Sequence, residues 1–186
     1  MKKRLTIIQM DVHVNDVEYN YNRVQELLVQ SLSESPDIIV LPETWNTGFY
    51  PSKELINIAD RNGERTKSLL STFAKEHNVN IVGGSVAVAK NDVVFNTSYA
   101  YNRKGELVGE YSKMHGFSPA KEDHYFAGGT HTTHFELDGI PCSTVICYDI
   151  RFPELVRMAA LPNTELLFVP AQWPTMRLRH WQVLNE

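Results

Sequence analysis

The chain is predicted to fold as a layered α/β domain with a mixed sheet. Strand-like and helix-like apolar patterns follow one another as β-α-β-α, then a run of strands, then β-α-β, and such alternation puts helices against at least one sheet face. Two of the strand runs, 93–102 and 107–113, are separated only by Arg103-Lys104-Gly105-Glu106 and read as an antiparallel hairpin, which makes the sheet mixed.

Taken in order, the strand readings are 5–12, 37–41, 80–88, 93–102, 107–113, 132–137, 141–147 and 166–170. All are rich in Val, Ile, Leu or Tyr and bounded by Gly, Asn, Asp or Pro. The first helix is read over 16–33, where Val17, Tyr21, Val24, Leu28 and Leu32 recur at helical spacing and make one apolar face. Over 64–77, Leu69, Leu70, Phe73 and Ala74 repeat the pattern, and Asn78 supplies a stop. A third helix, 153–161, opens on a proline at its first position, where the missing N–H is harmless. Residues 177–186 read as a helix without a terminating cap.

Composition narrows the function classes. The 186 residues are 42% hydrophobic and 22% charged, which suits one globular domain and not a disordered chain. A net charge of −4 with no basic cluster argues against nucleic acid as the main partner. No apolar run reaches the roughly 18 residues of a membrane span, and the basic start is followed too soon by polar residues for a signal peptide, so the sequence reads as cytoplasmic. Cys142 and Cys147 lie five apart. On one strand at ~3.3 Å per residue they stand about 16 Å apart on opposite faces, too far for a disulfide.

Three segments carry candidate chemistry. In Ile146-Cys147-Tyr148-Asp149-Ile150-Arg151-Phe152-Pro153 a strand runs into Cys147 shortly before a helix, a setting that favours a thiol of lowered pKa. From this segment alone, nucleophile and buried core cysteine stay open; for Cys142 the core reading holds. In Ile38-Ile39-Val40-Leu41-Pro42-Glu43 a carboxylate follows a fully apolar strand, where α/β sheets place ligands and where partial burial suits a general base. The alternative is a solvated loop carboxylate. Lys113 ends a strand and is either a solvated terminus or a fixed cation for an oxyanion. His115, His124, His131 and His134 lack an acidic partner at ligand spacing, and His131 and His134 fall on opposite faces of a strand, so no metal site is read.

Together, Leu41-Pro42-Glu43, Lys113-Met114-His115 and the segment from Cys147 to Glu154 resemble the three signature segments of the nitrilase superfamily, the carbon–nitrogen hydrolases. Glu43 and Lys113 are 70 positions apart, Lys113 and Cys147 34, and the order matches. The amino-terminal Ile7-Ile8-Gln9-Met10-Asp11 and the Gly83-Gly84-Ser85 strand also fit, so the likeness runs over the whole chain. Pro42-Glu43-Thr44-Trp45-Asn46-Thr47-Gly48-Phe49, Gln172-Trp173-Pro174 and His180-Trp181 are most similar to the omega-amidase branch, whose members release ammonia from 2-oxo dicarboxylic acid monoamides such as 2-oxoglutaramate.

The resemblance implies a nitrilase-like α-β-β-α sandwich with mixed sheets. It makes Glu43 the general base, Cys147 the nucleophile that forms a thioester, and Lys113 the oxyanion stabiliser, helped by the Tyr148 N–H. Glu122 corresponds to the second glutamate that positions substrate and water, and no cofactor or metal is required. Trp173 is a candidate pocket wall; Arg177 and Arg179 are available for a substrate carboxylate, with solvated helix charges the default reading. Other carbon–nitrogen substrates (an N-carbamoyl compound or a nitrile) or a non-catalytic assembly subunit of the same fold are the alternatives. Family members continue beyond residue 186, so the resemblance also implies a C-terminally incomplete domain with an open sheet edge, and a homodimer at full length.

Overall fold

The computed structural model describes residues 2–49, 51–161 and 163–186. Its strands are β1 (Leu5–Ile7), β2 (Ile38–Val40), β3 (Asp60–Arg61), β4 (Asn80–Val82), β5 (Val86–Lys90), β6 (Val93–Tyr101), β7 (Leu107–Ser112), β8 (His134–Leu137), β9 (Ile140–Thr144) and β10 (Leu166–Phe168). Its helices are α1 (Val17–Ser31), α2 (Leu55–Ile58), α3 (Glu64–His77), α4 (Pro153–Ala160) and α5 (Leu178–Leu184). Two sheets result. In the larger, β1, β2 and β4 run parallel, β6 joins antiparallel, β5 and then β3 continue the row, and β7 pairs the other side of β6. In the smaller, β9 pairs β10 in parallel and β8 antiparallel, with α4 as the crossover between β9 and β10.

Apolar side chains define the layers. Tyr21, Val24 and Leu28 of α1 and Leu70, Phe73 and Ala74 of α3 pack on Ile39, Ile81, Val86 and Tyr99, the outer face of the larger sheet. The inner face offers Ile38, Val40, Val82 and Ala100 to Phe135, Leu137, Cys142 and Phe168 of the smaller sheet. Leu155 and Ala159 of α4 cover the far side against Val145. The expected α-β-β-α sandwich with mixed sheets is the architecture observed. Polar devices fix its edges: Asp16 caps α1 by accepting from the Tyr19 N–H, and Asn78 ends α3 in the left-handed conformation.

Several strand readings shorten. The 80–88 run is two strands broken at Gly83-Gly84-Ser85, because Gly84 has φ +61° and a Cβ there would sit 1.9 Å from the Pro42 carbonyl oxygen. The 5–12 run ends at Ile7 and 132–137 begins at His134, so His131 lies outside the strand that was to set it opposite His134. The 141–147 strand stops at Thr144, with Cys147 opening a 3-10 helix, Cys147–Arg151, and 166–170 ends at Phe168. The four-residue α2 and two-residue β3 are additions too short to leave a periodic pattern. Both cysteines are free and buried, Cys142 in the inter-sheet core and Cys147 in a separate cluster with Tyr111 and Ile146.

An ionic clamp ties the two sheets together at one end. The Arg103 guanidinium donates to Asp37 beside β2 (2.7 Å), to both carboxylate oxygens of Asp138 in the β8–β9 turn (2.8 Å each) and to the Asn78 carbonyl, and Lys3 also meets Asp138 (2.7 Å). Hydrogen bonds from Arg103 and Lys3 hold the Asp138 carboxyl well below the usual carboxylate range. A lowered folded-state value means that this contribution is complete above the ordinary carboxylate pKa and is lost as pH falls through the acid range. Arg103→Ala is expected to cost about 1–2 kcal/mol in urea unfolding at neutral pH, shrinking when Asp138 is protonated or salt is high. An equal loss at acid and neutral pH would contradict the clamp.

Candidate active site

The site forms where four strands end. Glu43 follows β2, Lys113 follows β7, Cys147 follows β9, and Gln172 and Trp173 follow β10. The loop bearing Glu43 is held by its neighbour, the break between β4 and β5. The Ser85 N–H donates to the Pro42 carbonyl, Ser85 Oγ accepts from the Thr44 N–H, and the Trp45 N–H and indole N–H donate to the carbonyls of Ser85 and Gly83. Asn46 imitates a strand partner, exchanging two bonds with the backbone of Ala87. Thr44 sits at φ +41°, a strained value for a β-branched residue that these bonds enforce.

Glu43 is fully buried, and both of its carboxylate oxygens accept hydrogen bonds. Oε1 receives Lys113 Nζ (2.8 Å) and Asn96 Nδ2 (3.1 Å), Oε2 receives the Gln172 N–H (2.8 Å), and the Glu43 carbonyl receives Gln172 Nε2 (2.6 Å). Glu122, equally enclosed, takes Lys113 Nζ on both oxygens (2.9 and 2.7 Å), Asn96 Nδ2 (3.1 Å) and the Phe117 N–H (2.7 Å). One ammonium is thus shared by two buried carboxylates. Burial alone pulls a lysine pKa down, but here the charges of Glu43 and Glu122 outweigh it and the net shift is upward. The two carboxylates thus favour the charged form of Lys113.

Cys147 opens its 3-10 helix at φ +48°. The expected lowering of its thiol pKa is overturned. Burial, then the charge of Glu43, push it well above the ordinary value, and Lys113 offsets only part of this. The helix that was to lower it, α4, begins only at Pro153, whereas the carboxylates are immediate neighbours. Burial pushes the Cys142 thiol up to about 11 as well. Thiols whose folded pKa is raised favour the fold below their unfolded value of about 8.5 and weaken it as pH climbs above that.

Backbone donors around Cys147 are nearly all engaged. The Cys147 N–H donates to the Pro170 carbonyl, the Ile146 N–H to Asp149 Oδ2, and the Asp149 N–H to the Ile146 carbonyl. The Tyr148 N–H has no hydrogen-bond partner among the described residues. Above it lies a narrow pocket walled by Phe49, Phe117, Tyr148, Trp173 and Pro174, with Cys147 at its floor and Arg151 and Arg177 on its sides. Arginine–carboxylate pairs among the described residues involve Arg23, Arg65 and Arg103; Arg151, whose guanidinium meets His180 Nδ1 (3.0 Å), and Arg177 are among the arginines without one.

The structure therefore brings together all six residues singled out in the sequence: Glu43, Lys113, Cys147, Glu122, Tyr148 and Trp173. Arg177 moves from the expected solvated helix face to the pocket, while Arg179 stays exposed. Sequence reasoning missed Asn96, Gln172, Arg151 and Asp149 as site residues. Asn96 had no signal beyond being a lone polar residue inside β6, and Gln172 was visible only as part of the Gln172-Trp173-Pro174 segment, without a role. Arg151 and Asp149 lie inside the cysteine segment and were legible as part of it. Among the described residues no group of three or more His, Cys, Asp or Glu side chains is placed to hold a metal ion, and no helix is long and apolar enough to cross a membrane.

An α-β-β-α sandwich with a buried Glu-Lys-Glu cluster beside a pocket-floor cysteine defines a hydrolase-type site of the nitrilase superfamily. The chain belongs to the carbon–nitrogen hydrolase family, whose model matches residues 4–186. It is 40% identical over 184 residues to a 2-oxoglutaramate amidase of Bacillus subtilis, covering 99% of this chain and 70% of that protein. To an omega-amidase of Danio rerio it is 30% identical, covering 100% of this chain and 69% of the other. The fold superposes with a TM-score of 0.85 on a CN-hydrolase superfamily protein of Xanthomonas campestris that carries an arsenic adduct in its active site, at 28% identity over 98% of this chain and 69% of that one.

Two outcomes test the electrostatics. In a Cys142→Ala background, thiolate absorbance should titrate at lower pH in Glu43→Gln and at higher pH in Lys113→Met than in the parent; no displacement in either would refute the charge coupling. Lys113→Met leaves two buried carboxylates without their cation and should lower stability by about 3 kcal/mol, with part recovered in Lys113→Met/Glu122→Gln, as read by chemical denaturation.

Proposed function

We propose that the protein is a cysteine-dependent amidase that releases ammonia from the distal amide of a small 2-oxo dicarboxylic acid monoamide, 2-oxoglutaramate or a close analogue. The observation that carries this reading is the convergence of Glu43, Lys113 and the free Tyr148 N–H on Cys147 at the floor of one pocket. An amide is a weak electrophile with a poor leaving group, so it needs an activated nucleophile, donors for the oxyanion and an acid for the amine, and this site offers each.

In the proposed sequence the Cys147 sulfur attacks the amide carbon while its proton passes to Glu43. Negative charge gathers on the former carbonyl oxygen, facing Lys113 Nζ and the Tyr148 N–H. The C–N bond then breaks, Glu43 returns the proton to nitrogen, and ammonia leaves a thioester on Cys147. Water, oriented by Glu122 and deprotonated by Glu43, attacks that thioester. The C–S bond breaks and the sulfur regains its proton, which restores the enzyme and frees the carboxylic acid.

Two observations support the substrate class. Relatives from Bacillus subtilis and Danio rerio are a 2-oxoglutaramate amidase and an omega-amidase. Independently, Arg151 and Arg177 stand at the pocket without acidic partners, and the Arg151 Nε is buried without a hydrogen bond, so an anionic substrate would complete both. Aromatic walls suit the short carbon chain between the two ends.

Cys147→Ala should abolish ammonia release while circular dichroism and the melt stay those of the parent; an active alanine variant would refute the mechanism. Against a panel of 2-oxo dicarboxylate monoamides, neutral amides, nitriles and N-carbamoyl compounds, the first class should be preferred. Arg177→Ala should cut kcat/KM for it about thirtyfold, equivalent to about 2 kcal/mol for a charge-assisted contact, and leave neutral amides unaffected. Preference for a nitrile or an N-carbamoyl compound would reassign the substrate, and a folded chain with no turnover would favour a binding or assembly role.

A further inference from the structure

Asp149 has no place in the proton transfers above, yet it is among the most completely engaged groups in the molecule. It is fully buried. Its Oδ2 accepts the Tyr111 hydroxyl (2.7 Å) and the Ile146 N–H (3.1 Å), and its Oδ1 meets the His115 N–H and the His115 ring Nδ1 (2.9 Å each). These partners come from three different places: Tyr111 from β7, His115 from the stretch just past Lys113, and Ile146 from the turn that carries Cys147. The His115 ring is further fixed by stacking on Phe152 at 3.5 Å between centroids, 9° from parallel. Burial first, and the adjacent Asp149 charge second, push the Tyr111 hydroxyl pKa upward, so it remains a donor at every working pH.

The turn that this carboxylate holds is a strained one. Cys147 occupies the left-handed region at φ +48°, which a non-glycine residue keeps only when its surroundings over-determine it. By taking the Ile146 N–H through its side chain while giving its own N–H to the Ile146 carbonyl, Asp149 closes the turn on both sides of Cys147. The same closure leaves the Tyr148 N–H as the donor not consumed by the turn. We propose that Asp149 is a positioning residue: anchored to Lys113's own segment through His115 and Tyr111, it sets the Cys147 sulfur and the Tyr148 N–H in register with Lys113 Nζ for the oxyanion.

Elementary hydrogen-bond counting makes the proposal sharp. A carboxylate has two acceptor oxygens for these four contacts. An asparagine offers one oxygen and presents an NH₂ in place of the other, so one pair of contacts must face a donor instead of an acceptor. The size of the side chain hardly changes, whereas the turn loses its lock.

This inference rests on the amidase reading, and the experiment separates the two. Asp149→Asn and the milder Tyr111→Phe would be compared with the parent for kcat, KM, melting and affinity for two probes. One probe is the 2-oxo dicarboxylate product, which binds without covalent change. The other is the aldehyde analogue of the amide, where the thiol adds across the C=O, a C–S bond forms, the thiol proton goes to oxygen and nothing leaves. For Asp149→Asn the expected result is a fall in kcat of about a hundredfold, the size reported for loss of one oxyanion donor, with KM and product affinity within about twofold. Aldehyde affinity should fall in step with kcat, and Tyr111→Phe should lie between variant and parent. A merely structural role would lower the melt and weaken both probes alike, and that pattern, or an Asp149→Asn enzyme with parental kcat, would overturn the proposal. Should the parent hydrolyse no amide at all, the amidase reading fails, while the adduct mass on Cys147 formed with the aldehyde still reports whether Asp149 governs the seat.

Discussion

Everything at the centre of this molecule depends on one ammonium shared between two carboxylates. Glu43 and Glu122 lie far apart in sequence, each with essentially no exposure, and neither could be buried as an anion without a cation within reach. Lys113 supplies it at 2.8 and 2.7 Å, and Asn96 adds a neutral donor to both. Removing any member strands the others in a dry interior. The loops that carry them are therefore held together by electrostatics as much as by the sheets beneath, and the cluster links the large sheet to the 3-10 turns beyond β7.

The fold meets that requirement by ending strands at one place. Strands β2, β7, β9 and β10 stop within reach of a common point, and the chain then spends its unusual backbone there: Thr44 and Cys147 both at positive φ, and Gly84 at +61° where no side chain fits against Pro42. Each of these would be a defect in isolation. Dense hydrogen bonding from Ser85, Asn46, Asp149 and Pro170 makes them the stable arrangement, because the strain is distributed over residues whose own positions are fixed by the sandwich core.

This division also explains what could be read from the sequence. Periodic apolar patterns made α1 and α3 legible, since burial of a face is a repeated local signal, the opening proline marked α4 and the short connection marked the β6–β7 hairpin, whereas the sandwich was implied by the family resemblance. Glu43, Lys113 and Cys147 were legible because each follows a strand in a recognisable segment. Asn96 was not: it sits inside β6, where a single polar residue on an inward face looks like any tolerated exception until the carboxylates appear on either side of it. Strand ends were overread for the same reason. At 145–147 apolar residues continue while the backbone turns away, and at Gly83-Gly84-Ser85 the strand breaks where Gly84 packs on Pro42; the cause lies in tertiary partners such as Pro42 and Pro170 that no local window contains. The thiol was misread because a helix nearby in sequence seemed to set its charge, whereas the nearest charges in space are carboxylates.

That last point reconciles a thiol of raised pKa with a thiol that must act as a nucleophile. Ionising Cys147 by losing its proton to solvent would add a further negative charge to a buried group that already counts two carboxylates and one ammonium, and the surroundings oppose it. Passing the same proton to Glu43 leaves the total charge of the cluster unchanged. One anion disappears as another forms, both within reach of Lys113, so the low-polarity interior resists the internal transfer far less than the external one. In the proposed mechanism a carbonyl carbon seated above the sulfur gives the transfer its purpose, because charge then moves on to an oxygen facing Lys113 and the Tyr148 N–H. Burial that suppresses the free thiolate thus favours reaction only when a substrate completes the site.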